Sequence, residues 1–153
     1  MDKIARGLIK FVLLIALAVV GTGQPSKAQS LNYGLRANIP FDFIVGNQTI
    51  PAGSYSFKRA RQDDDLILQI SNFAGKTVTF RNTILVTTLK PKNKSILVFH
   101  RYDNKYFLSQ VWPAGTLAGR SLPPARSERD IRRKETLASS KRAVSETVNV
   151  VAY

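Results

Sequence analysis

The stretch SILVFHRYDNKYFLSQVW, residues 95–112, constrains the fold more than any other part of the chain. Asp103-Asn104 separates two apolar-rich runs, and both residues tolerate left-handed backbone better than most non-glycines. A two-residue turn there predicts the cross-strand pairs Tyr102–Lys105, Arg101–Tyr106, His100–Phe107 and Phe99–Leu108, then Val98–Ser109 and Leu97–Gln110. Successive strand side chains point to opposite faces. One face therefore takes Leu97, Phe99, Arg101, Tyr106, Leu108, Gln110 and Trp112. The other takes Ile96, Val98, His100, Phe107, Ser109 and Val111. Both are largely apolar, so the hairpin must be covered on both sides. Within it, Arg101 beside Tyr106 can stack, and His100, the chain's lone histidine, reads as a structural residue bonding locally while its ring packs on Phe107.

The remaining sequence supplies the cover. Leu31 to Ile39 alternates apolar and polar residues, the pattern of a strand with one buried face. Extended segments follow at 41–46, 54–60, 66–71 and 76–89, the last long enough to bend, and again at 116–122. Gly46-Asn47, Pro51-Ala52-Gly53, Asn72–Gly75 and Pro113-Ala114-Gly115 carry turn chemistry between them. Strand does not alternate with helix, which argues against a parallel α/β sheet. The expected fold is all-β: a small antiparallel barrel or two-sheet sandwich of seven or eight strands in segment 29–123, with one C-terminal helix.

That helix falls in the basic segment 124–142. Ser127 and Asp130 resemble a capping box, and Glu128–Arg132 and Asp130–Lys134 have favourable i,i+4 order. The tail, 143–153, is β-prone and reads as an added edge strand or a free end.

At the N-terminus, Lys3, Arg6 and Lys10 precede an apolar run from Phe11 to Val20, followed by Ser26-Lys27-Ala28. A basic region, a short apolar core and a small-x-small site read as a secretory signal peptide over 1–28. An uncleaved anchor is the competing reading, but the run is shorter than the ~18–20 residues that cross a bilayer as helix. After cleavage no membrane span remains, and the product is expected in the periplasm or outside the cell. Removing the leader takes the chain from 23 basic and 10 acidic residues to 19 and 9, a net of +10. Such an excess attracts anionic partners. Because basic and acidic residues interleave in RSERDIRRKE, and the aromatics sit at core-like strand positions, specific nucleic-acid binding is not expected.

The chemistry available is narrow. One histidine and no cysteine remove Cys/His nucleophile pairs and zinc sites built from several such ligands. The chain contains neither a nucleophile-elbow motif nor a phosphate-binding glycine loop. Asp63-Asp64-Asp65 reads as a solvated turn, and Asp42 as an outward strand residue or a carboxylate accepting backbone N–H groups near Pro40. No cofactor, metal or catalytic residue is expected. The candidate surface or binding residues are Asp42, His100, Arg101, Tyr106, Arg129, Arg132 and Arg133.

IPFDFIVGNQTIPAGSYSF, together with LVFHRYDNKYFLSQVW, Gly119-Arg120 and LPPARSERD, resembles a family of small exported β-proteins abundant in soil acidobacteria. The resemblance covers most of residues 33–130. It implies a Gram-negative origin and an exported product, and brings no family active site to carry over. The leading expectation is a non-enzymatic protein with a structural or weak anionic-surface-binding role in the envelope or matrix. Alternatives are a barrel holding a small apolar ligand between its sheets, and a hydrolase pairing Asp42 with another carboxylate or His100 across about 5–9 Å. The sequence leaves the oligomeric state open.

Overall fold

The computed structural model describes residues 34–61, 63–138 and 145–153. The expected leader (1–28), the strand start at 31–33 and residues 139–144 of the basic segment lie outside the described residues.

The protein is all-β with one helix. Its strands are β1 (Leu35–Ile39), β2 (Phe43–Val45), β3 (Gln48–Ile50), β4 (Gly53–Arg59), β5 (Ile67–Asn72), β6 (Thr77–Asn82), β7 (Ile84–Thr87), β8 (Ser95–Tyr102), β9 (Lys105–Trp112), β10 (Ala118–Ser121) and β11 (Glu146–Ala152). Helix α1 spans Arg126–Ala138. One sheet runs β1-β4-β5-β6, the other β11-β8-β9-β10-β7, with the β2–β3 hairpin joined alongside β9. The architecture is a two-sheet sandwich, not a closed barrel. The strand count reaches 11 among the described residues because the expected bent strand 76–89 divides at Thr83, a three-residue strand forms between the Gly46 and Pro51 turns, and the tail adds β11.

Two corners join the sheets. At Thr83, whose N–H and hydroxyl both donate to the Leu66 carbonyl, the chain leaves β6 in one sheet and enters β7 in the other. At the opposite corner Arg36 and Tyr153 exchange backbone hydrogen bonds of 2.8 and 2.9 Å, which brings β1 against the end of β11. The tail is thus flanked by β8 on one side and touched by β1 on the other. Strands that switch sheets at bends are a general solution for sandwich corners.

Side chains from both sheets fill the space between them. Phe43, Phe57, Phe99, Leu68, Ile70 and Leu97 are wholly buried there, with edge-to-face contacts between Phe43 and both Tyr55 and Phe99. Fully burying each such side chain contributes roughly 1.5–3 kcal/mol.

The hairpin pairs as expected from Tyr102–Lys105 to Phe99–Leu108, and Asp103 takes a φ of 50° at its turn. Beyond that point the expected register fails. A bulge inserts Ser109, so Val98 pairs with Gln110 and Leu97 with Val111. A bulge places two residues against one and shifts every later side chain to the other face. Val111 consequently joins Leu108 in the interlayer core. Trp112 turns away, donates its indole N–H to Gln110, and lies on Gly119, where an added β-carbon would meet the ring at 2.6 Å. The expectation of antiparallel pairing throughout also needs correction. Phe43 and Ile44 pair in parallel with Tyr106 and Phe107, occupying the β9 edge that β10 covers only further on, at Gln110 and Val111.

The outer face of the hairpin meets α1. Tyr102, Phe107 and Ala125 are buried there, with Ile44 and Ile131 packed against them. The helix follows Pro123-Pro124, and the Arg129 N–H bonds the Ala125 carbonyl. Ala125 therefore precedes the first turn, and Ser127 sits inside it instead of capping it.

Candidate functional site

Helix α1 turns Glu128 inward and leaves its bases exposed. Glu128 is only 3 % exposed, and its Oε1 lies 2.9 Å from His100 Nδ1 on β8. A carboxylate only accepts, so Nδ1–H is the donor. The expected one-turn pairing of Glu128 with Arg132 is replaced by this contact across 28 residues, and His100 bonds the helix instead of a strand neighbour. Nearby, burial pushes the Tyr102 phenol above its ordinary range. The Glu128 and Glu135 carboxylates act in the same direction, while a hydrogen bond with Ser145 and the charge of Arg132 oppose them.

The exposed surface of the helix is mostly basic. Arg126, Arg129, Arg132 and Arg133 are exposed, as is Lys134, with Asp130 the one exposed acid on α1 among the described residues. None of these four arginines pairs with a carboxylate among the described residues. Asp130 thus stands among the bases, and Arg132 lies one turn beyond Glu128. Helical periodicity sets this distribution: residues 128, 131 and 135 fall on one side of a 3.6-residue turn, and 126, 129 and 133 on the other.

Other candidate residues go elsewhere. Tyr106 is stacked between Phe41, at 3.9 Å and 16°, and the Arg101 guanidinium at 5.6 Å. Arg101 also reaches Glu146 at 3.0 Å and donates to the Asp103 carbonyl, so the pair seals the hairpin end beside β11. Asp42 accepts the Ala52 N–H at 2.8 Å, which fastens the strand start to the Pro51 turn. Asp42 and His100 are thus committed to different elements. Among the described residues no group of three or more His, Asp or Glu side chains is placed to hold a metal ion.

The aspartate run is not simply solvated. Asp64 accepts the Leu66 N–H, and Asp63 faces Arg61 at 3.5 Å. Asp65 reaches between two buried arginines, with Arg59 at 2.6 Å and Arg120 at 3.5 Å. Nothing local flags this triad, because its members come from β4, the following loop and β10.

A second basic feature went unread in the sequence. Arg81 on β6 donates through Nε and Nη2 to the Val45 carbonyl, at 3.3 and 2.9 Å, and through Nη1 to Phe80. Its guanidinium lies flat on Gly46, where an added β-carbon would come within 2.6 Å of Nε. Gly46 also has a φ of 63°, so this position favours glycine on two counts. Its only sequence signal was the Gly-Asn turn.

No family model, curated protein or solved structure matches this chain. Among the described residues no helix is long and apolar enough to cross a membrane.

Proposed function

We propose that this is a non-enzymatic exported protein that holds an anionic component of the cell envelope or matrix through the outward side of α1. The observation that carries the reading is the inward turn of Glu128 onto His100, which leaves Arg126, Arg129, Arg132 and Arg133 outward without carboxylate partners among the described residues. The net of +10 expected for the mature chain supports it. So does the filled space between the sheets, which favours a surface over an interior apolar site. The leader-like N-terminus and the resemblance to small exported β-proteins support the location.

An exposed cationic ridge works through charge, so binding should fall as salt shortens the Debye length from about 30 Å at 0.01 M to about 8 Å at 0.15 M. The test is retention on immobilised polygalacturonate and on vesicles carrying phosphatidylglycerol, each compared with its neutral counterpart. The double variant Arg132→Glu, Arg133→Glu should lose retention on whichever surface holds the protein.

A further inference from the structure

One cleft gathers cations without any acid. It lies between the Gly46-Asn47 turn, the end of β6 and the Leu122–Arg126 linker, with a volume of about 460 Å³. That falls within the ~300–1,000 Å³ typical of small-molecule sites. Arg81, Arg126 and Arg129 line it, and none of its lining residues is acidic. Two of the three guanidinium groups are held by backbone carbonyls: Arg81 by Val45 and Phe80, Arg129 by Pro124 at 2.9 Å. None of the three has an ion-pair partner among the described residues. A guanidinium has five N–H donors in a planar fork, so anchoring on a carbonyl leaves donors available in a fixed orientation. Planar carboxylates suit that fork, bound through two parallel hydrogen bonds.

The rest of the lining is not that of a bare ion site. Phe80 on β6, 52 % exposed, is among the cleft's lining residues, as are the apolar rings of Pro123 and Pro124. Asn47 and Asn82 supply amides that both donate and accept. Fixed guanidinium groups, a flat apolar ring and side-chain amides match the three parts of an acidic sugar: its carboxylate, its C–H face and its hydroxyls.

We propose that this cleft is a binding site for acidic saccharides, specifically uronate units. The assignment rests on the reading of the protein as an anionic-surface binder and names the ligand class of one part of that surface. Arg81 and Arg129 bind the carboxylate, Phe80 stacks beneath the sugar ring, and Asn47 and Asn82 bond its hydroxyls. Gly46 acts as a positioning residue, since only its missing side chain lets Arg81 lie where it does.

The test is calorimetric titration of the protein with trigalacturonate, and in parallel with neutral maltotriose and with inorganic phosphate. Saturable binding of trigalacturonate at least tenfold tighter than of either control is expected. Arg81→Gln should weaken it tenfold or more, and Phe80→Ala several-fold. Gly46→Ala, which keeps every charge, should weaken it at least fivefold, with thermal melting and circular dichroism used to confirm that each variant is folded. Lys76→Gln, an exposed change at the other end of β6 and outside the cleft, should leave it within about twofold. Equal binding of phosphate, or trigalacturonate binding unchanged in Arg81→Gln, overturns the site. Loss of phosphatidylglycerol-vesicle binding in Arg81→Gln, with no trigalacturonate response in the parent, also overturns it and assigns the cleft to a membrane surface. If instead the ridge variant keeps full surface retention while Arg81→Gln abolishes trigalacturonate binding, the ridge reading fails and the cleft stands.

Discussion

Glu128 Oε1 and His100 Nδ1 lie 2.9 Å apart across the seam between α1 and the outer face of the β8–β9 hairpin. This one contact removes an acid from the surface of the helix, supplies a polar lock beside Tyr102 and Phe107, and so couples the docking of α1 to its outward charge. Packing, orientation and electrostatics therefore depend on the same carboxylate.

Replacing Glu128 by Ala is expected to cost about 1.5–3 kcal/mol, the range for a hydrogen bond to a charged group. Amide hydrogen exchange should accelerate in α1 more than in β4 and β5, because the interlayer core does not touch this seam. His100→Ala should do the same or more, since it leaves the buried carboxylate without its partner. Uniform acceleration across all strands would instead mean that α1 is part of one cooperative unit with the sandwich.

Asp65 holds two buried arginines, whose side chains are 7 % and 4 % exposed for Arg59 and Arg120. Asp65→Asn keeps the shape and removes the charge. Breaking a fully buried pair costs ~3–5 kcal/mol. Asp65 is 40 % exposed, so water screens part of that and about 2–3 kcal/mol is expected. Urea denaturation checks it through a lower midpoint at unchanged slope. A change below about 0.5 kcal/mol would mean that Asp65 behaves as an ordinary surface partner.

Burial raises the Tyr102 phenol in the folded state, and burial with the nearby Asp42 charge raises Tyr55. A folded pKa above the unfolded value of about 10 means that the native state keeps its proton longer. The stabilisation is complete below pH ~10 and is lost as pH rises through the folded pKa. Stability of the parent should therefore fall above pH ~10 more steeply than that of Tyr102→Phe. Denaturation midpoints at pH 8, 9, 10 and 11 check this, and parallel curves for the two proteins would contradict it.

Local pattern carried most of the strand positions. Period-two alternation located β1, β4 and β5, and turn residues separated them, because each strand buries one face against a single core. The hairpin was legible out to Leu108 because a two-residue turn fixes register. It ceased to be legible at Ser109, where a bulge answers to packing between layers and leaves no local mark. The parallel pairing of β2 with β9 is set by contacts more than 60 residues apart, which periodicity does not encode.

The site was legible in composition but not in arrangement. RSERDIRRKE looks electrically mixed as a string, and only docking on His100 decides which charges face water. Arg81 gave no signal at all. Its position depends on a glycine 35 residues earlier and on a carbonyl in another strand pair.

The most direct measurement is the salt-dependent retention of the protein on polygalacturonate and on phosphatidylglycerol vesicles, set beside the Arg132→Glu, Arg133→Glu variant. The account predicts retention of the parent on at least one anionic surface at 0.02 M salt, much reduced at 0.3 M, and clearly weaker retention for the folded variant at 0.02 M. Equal retention of parent and variant, or no preference for anionic over neutral surfaces, would contradict it.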